Sequence, residues 1–167
     1  MFNSIIKISL IIVLFTNTIL LFAGDDKNHH AAVFVGATSN LYAKHTDFTI
    51  GLDYEYRLNK FFGVGFIGDY VMADKSETLL MAGLFYHPIA SLKLYTGNGI
   101  AIVTEVEEDT QHNENEGEEK SVSYYAFRLG TGYDFHITNF SITPTISWDL
   151  INGHSSIVYG LSFGIGF

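Results

Sequence analysis

The stretch DFTIGLDYEYRL, residues 47–58, alternates without a slip: Phe48, Ile50, Leu52, Tyr54, Tyr56 and Leu58 share one side, with Asp47, Thr49, Gly51, Asp53, Glu55 and Arg57 on the other. Successive side chains of a strand point to opposite faces, so this stretch predicts a β-strand with one apolar and one polar face. The same reading extends outward along the chain. Residues 123–135 set Tyr125, Phe127, Leu129, Thr131, Tyr133 and Phe135 against Tyr124, Ala126, Arg128, Gly130, Gly132 and Asp134. Residues 139–150 set Phe140, Ile142, Pro144, Ile146 and Trp148 against Ser141, Thr143, Thr145, Ser147 and Asp149. In residues 157–167, Ile157, Tyr159, Leu161, Phe163, Ile165 and Phe167 alternate with Val158, Gly160, Ser162, Gly164 and Gly166. Less regular strands at 31–38, 61–73, 78–87 and 92–104 bring the expected total to eight.

The expected connections alternate in length. Residues 59–60, 88–91 and 136–138 are short, whereas 39–46 and 105–122 are longer, with 74–77 and 151–156 between. An antiparallel up-and-down barrel has this layout, with short turns at one end and longer loops at the other. Periodicity alone allows the apolar face to point inward, as in a soluble ligand-binding barrel, or outward into lipid. The charge count decides between them. Outside residues 1–23 and the acidic stretch 105–120, only 17 of 128 residues are charged, about 13%, roughly half of what a water-facing surface carries. The expected fold is therefore all-β: an eight-stranded antiparallel up-and-down transmembrane β-barrel. Tyr54, Tyr56, Tyr133, Phe135 and Trp148, near strand ends, are candidate interface girdles.

Residues 1–23 begin with a single positive charge at Lys7, continue through an apolar run from residue 8 to 22, and end at Ala23 before the polar GDDKNHH. That order reads as a cleaved secretory signal peptide, leaving a single barrel domain over 24–167. The competing reading is an uncleaved helix, since residues 5–22 are 18 long and roughly 17–25 apolar residues span a bilayer. The chain has 18 acidic and 9 basic side chains, and residues 105–120 alone hold eight of the acids, so the basic footprint of a nucleic-acid binder is missing. It has no cysteine, which excludes disulfides, a thiol nucleophile and an acylated lipobox.

The ending YGLSFGIGF, in which Tyr159, Leu161, Phe163, Ile165 and the final Phe167 recur at every second place, resembles the terminal signature of bacterial outer-membrane barrels. GLDYEYRLNKFFGVGFIGDY and LKLYTGNGIAIV resemble hairpins of small, largely uncharacterised outer-membrane β-barrel domain proteins. The resemblance implies a Gram-negative outer membrane, contact with its lipid and lipopolysaccharide, and recognition of the C-terminal residues by the barrel assembly machinery. It does not assign an activity, because the shared features belong to folding and insertion. The expectation is a monomer of non-enzymatic, structural or surface-interaction role.

On the inward face stand Asp53, Glu55, Arg57, Asp69, Lys93, Arg128, Asp134 and Asp149. Ionisable groups at membrane depth suggest a transport path or proton relay. A narrow eight-stranded interior favours a packed lumen in which these acids and bases neutralise one another. In the fifth strand the register turns Thr96 and Asn98 toward lipid, where an unpartnered amide is costly, so a bulge near Gly97 or Gly99, or a position close to the headgroups, is expected. In the sequence NGHSS, His154 and Ser156 resemble the base and nucleophile of outer-membrane lipid A deacylases. That family's acid lies on the last strand, which has none here, leaving Asp149 as the substitute and an ordinary turn as the favoured reading. The acidic stretch with His112 is expected to be a flexible surface loop that at most condenses divalent cations among lipopolysaccharide phosphates. His29 and His30 are expected in a mobile periplasmic end, and His45, His87 and His136 at strand ends without ligand spacing. No cofactor and no metal site is expected. The rival functions are a lipid A hydrolase or acyltransferase and a narrow pore or small-ligand carrier.

Overall fold

The computed structural model describes residues 28–73, 76–106 and 119–167. The expected signal peptide and most of the acidic stretch lie outside them. Nine strand segments follow one another: β1 (His29–Asn40), β2 (His45–Arg57), β3 (Phe62–Met72), β4 (Glu77–Ile89), β5 (Leu92–Val106), β6 (Glu119–Tyr133), β7 (Phe135–Ile137), β8 (Phe140–Ile151) and β9 (His154–Gly166). Apart from β6 and β7, which both pair with β8, each pairs antiparallel with its neighbour in the chain, and the β1–β9 and β6–β8 ladders close the sheet. β7 continues the course of β6 along β8, so the barrel has eight staves, as the alternation predicts.

The sixth stave departs from the unbroken run expected over 123–135. At Asp134 the backbone N–H donates to the Ser91 carbonyl at 2.6 Å and the carboxylate accepts from Thr143 Oγ1 at 2.6 Å, which interrupts the ladder. The ends of the last and first strands are sealed by a reciprocal pair: His29 N donates to the Phe167 carbonyl at 3.0 Å and Phe167 N to the His29 carbonyl at 2.9 Å. Closure of this kind leaves no unpaired edge, the condition for a sheet in hydrocarbon.

The turns are shorter than the sequence suggested. β1 runs to Asn40 and β2 starts at His45, so the expected loop 39–46 contracts to four residues. The Asn40 side chain closes it by accepting from the backbone of Tyr42 and Ala43 at 3.0 and 2.9 Å, and Lys44 takes φ 56°. Asn59 does the same for Phe61 and Phe62 at the opposite end of the barrel. Asparagine suits such sites because its amide oxygen imitates a backbone acceptor. The connection expected over 151–156 is a two-residue hairpin, Asn152 (φ 49°) and Gly153 (φ 82°), whose left-handed pair matches the twist of the flanking strands. Among the described residues the connections therefore do not alternate in length, and residues 107–118 between β5 and β6 lie outside them.

The outer wall is apolar. Leu52, Phe66, Leu84, Tyr125, Phe140 and Phe163 are among the exposed large side chains, and their continuity far exceeds the patch a water-soluble monomer shows. Inside, Ile67, Val71, Leu79, Met81 and Phe85 pack with Ala101 and Ala126 into one cluster against the β3–β6 side. The facing β8–β9 side carries the buried hydroxyls of Ser141, Thr143, Ser147, Ser156 and Ser162. The regular strands predict a polar inward face, and the lumen is apolar over part of its wall. The half-apolar lumen is legible in TLLMAGLFY, which is apolar on both faces of β4.

Candidate functional site in the barrel lumen

Strand alternation directs the expected inward residues into the lumen: Glu55, Asp69, Lys93, Arg128, Asp134 and Asp149 are all at most 4% exposed, while Asp53 and Arg57 are half-buried. They divide into groups rather than forming one network. Toward the outer half, Arg128 and Asp149 are direct partners in the β6–β8 ladder. The guanidinium donates through Nε to Asp149 Oδ1 and through Nη2 to Asp149 Oδ2, both at 2.6 Å, and through Nη1 to Asp69 Oδ2 at 2.5 Å. Asp69 stands on β3, across the lumen from β6 and β8. One arginine thus cross-links opposite walls, using the planar fork that a lysine lacks.

Toward the other end, the His87 ring nitrogen Nε2 and Glu55 Oε1 lie 2.8 Å apart, with Arg57 Nε at 3.6 Å from the same oxygen. His87, expected at a strand end, is two residues from the end of β4 and only 2% exposed. β4 continues past it to Ile89, and its inward parity places it in the lumen. Lys93 lies over the rings of Phe85 and Tyr95, at 5.7 and 5.6 Å from their centroids. His29 and His30 also depart from expectation: both belong to β1 rather than to a loose end. His30 Nε2 is 2.9 Å from Ser141 Oγ, and His29 stacks on Phe167 and meets the Tyr54 hydroxyl at 2.7 Å.

Glycines set the room for these side chains. A β-carbon on Gly51 would overlap the Asp69 carboxylate, and one on Gly63 the Glu55 carboxylate. Phe34, Asp53, Asp69, Tyr95, Arg128, Thr145, Ser147 and Val158 enclose a void of about 10 Å³, space for about one water molecule. This arrangement ties opposite walls of the barrel together.

The hydrolase candidates are not assembled. His154 is exposed at the outer rim with its ring 5.2 Å from that of Tyr42, whereas Ser156 is buried in the wall. Asp149, the substitute acid, already receives two bonds from Arg128. No group of three or more His, Cys, Asp or Glu that could hold a metal occurs among the described residues.

The amide expected to face lipid does so, and of the two reliefs expected for it, a bulge or a place near the headgroups, the bulge is absent. β5 pairs in continuous register with β4 and β6 through Thr96, Asn98 and Ile100, and the only shift lies between Tyr86 and Ile89 at the end of β4. The Tyr125 hydroxyl instead donates to Asn98 Oδ1 at 2.6 Å along the outer wall.

An apolar outer wall, buried ionic groups in a closed lumen and eight antiparallel staves define a small transmembrane β-barrel of the outer-membrane type. Solved structures agree on the fold. The chain superposes on Ail, the attachment invasion locus protein of Yersinia pestis, with TM-score 0.54 and 18% identity, covering 83% of this chain and 96% of that one; that protein was crystallised with the heparin analogue sucrose octasulfate. The N-terminal β-barrel domain of Pseudomonas aeruginosa OprF gives 0.55 and 15% identity over 84% and 98% of the two chains. Neisserial surface protein A gives 0.52 and 15% over 83% and 96%. No protein-family model and no curated protein sequence matches the chain.

Proposed function

We propose that this protein is a non-enzymatic surface protein of the outer membrane, with a rigid barrel as anchor and its external connections as the contact surface. The observation that carries this reading is the Arg128 clamp, which ties Asp149 to Asp69 across the lumen beside a void of about 10 Å³. With the interior filled, variable chemistry is left to the outer rim, where loops on a rigid scaffold usually hold recognition. There the Tyr42 turn abuts the Asn152–Gly153 hairpin through the His154 ring, and the acidic stretch 105–120 adds strong negative charge. Lipid and lipopolysaccharide are the surrounding partners, and insertion through the barrel assembly machinery would use Tyr159, Leu161, Phe163, Ile165 and Phe167. Outward exposure of Tyr159, Leu161 and Phe163 is consistent with that use.

Planar-bilayer recording of the refolded protein, alongside binding of cells displaying it to immobilised glycans and matrix proteins, tests the proposal. The expected result is no stepwise conductance together with binding that Tyr42→Ala or removal of residues 109–116 reduces. Steady single-channel currents without any surface binding would replace this reading with the pore.

A further inference from the structure

Away from strand ends, the outward positions of the described staves carry one amide, Asn98 on β5, with the Thr96 hydroxyl beside it on the same strand and Thr131 on neighbouring β6. Asn98 is four residues along β5 from Leu94, whose partner Tyr86 stacks on Phe62 in the aromatic rim, so its depth is that of hydrocarbon rather than headgroups. Its Oδ1 is satisfied by the Tyr125 hydroxyl. Its Nδ2 carries two further donors, and acyl chains offer no acceptor. An amide without partners in an apolar medium costs about 1–3 kcal/mol or more.

We propose that the β4–β6 face is the interface of a homodimer with two-fold symmetry, in place of the single barrel expected from sequence. The chemistry is self-complementary. Each copy presents a free N–H donor on Asn98 and spare acceptor lone pairs on Asn98 Oδ1 and Tyr125 Oη, so two copies related by a two-fold axis satisfy each other reciprocally. Close approach is open on this wall, because the cross-strand partner of Asn98 on β4 is Ala82. Immediately beside it the wall is recessed: Leu84, Leu94, Thr96 and Leu129 line an apolar depression of about 520 Å³ that a protruding side chain of a second barrel can enter. Polar side chains join membrane segments in this way, by hydrogen bonds where lipid offers none.

The cysteine-free chain allows a direct test. Full-length protein with Ala82→Cys, which keeps Asn98 and Tyr125, is oxidised in outer-membrane vesicles; Leu161→Cys on the opposite wall is the control. The expected result is a disulfide dimer for Ala82→Cys only, weakened about tenfold when Asn98→Leu is added. Sedimentation in detergent should give a dimer for the wild type and monomers for Asn98→Leu and Tyr125→Phe, each retaining the heat-modifiable folded band. Thr96→Cys reports on the same face if Ala82→Cys does not insert. Equal cross-linking of Ala82→Cys and Leu161→Cys, dimers undiminished by Asn98→Leu, or a wild-type monomer that retains a lipid on this wall would each overturn the proposal.

Discussion

Tyr95 of β5 and Gly130 of β6 are direct cross-strand partners, and the phenol ring of Tyr95 fills the space that a β-carbon on residue 130 would need. The ring in turn borders the lumen void beside Arg128 and supports Lys93. Gly130→Ala should therefore overpack the lumen and destabilise the barrel by about 1–3 kcal/mol. Urea unfolding of the refolded protein in vesicles reads this, and Tyr95→Leu added to Gly130→Ala should recover much of the loss. Equal destabilisation with and without Tyr95 would show that the ring is not the obstacle.

The Arg128 clamp predicts an asymmetry. Arg128→Met leaves Asp69 and Asp149 buried without a counter-charge and should cost about 3–5 kcal/mol. A triple variant that also carries Asp69→Asn and Asp149→Asn should be more stable than Arg128→Met alone, because the orphaned charges have gone. Unfolding midpoints in urea decide it, and a triple variant weaker than the single one would contradict the account.

Thr138, in the connection between β7 and β8, has φ 60°, a region that β-branched residues seldom occupy. Thr138→Gly should relieve that strain and raise stability by roughly 1 kcal/mol, whereas Gly153→Val at φ 82° should lower it by about 1–2 kcal/mol. Opposite shifts in midpoint are the check, and shifts of the same sign would rule the explanation out.

Ser156 is buried and Asp149 is held by Arg128, so incubation with lipopolysaccharide should release no fatty acid. Release that disappears in Ser156→Ala would establish the hydrolase instead.

Residues 105–106 still pair with 119–120, so the hairpin is defined below the acidic stretch. Removing residues 111–118 should leave the heat-modifiable band and the unfolding midpoint within about 0.5 kcal/mol of wild type. Loss of the band would give this stretch a role in folding.

Alternation along the chain specified the strands and put Arg128 and Asp149 on their polar faces, because each side chain's face follows from parity, and the low charge count then turned the apolar faces outward. Parity is local and says nothing about who meets whom across the lumen. Only the closed barrel brought Asp69 of β3 to Arg128 of β6 and His87 of β4 to Glu55 of β2. Those meetings depend on curvature, stagger and the reach of long side chains between distant staves. A one-dimensional pattern carries none of them, and closure fixes all of them at once.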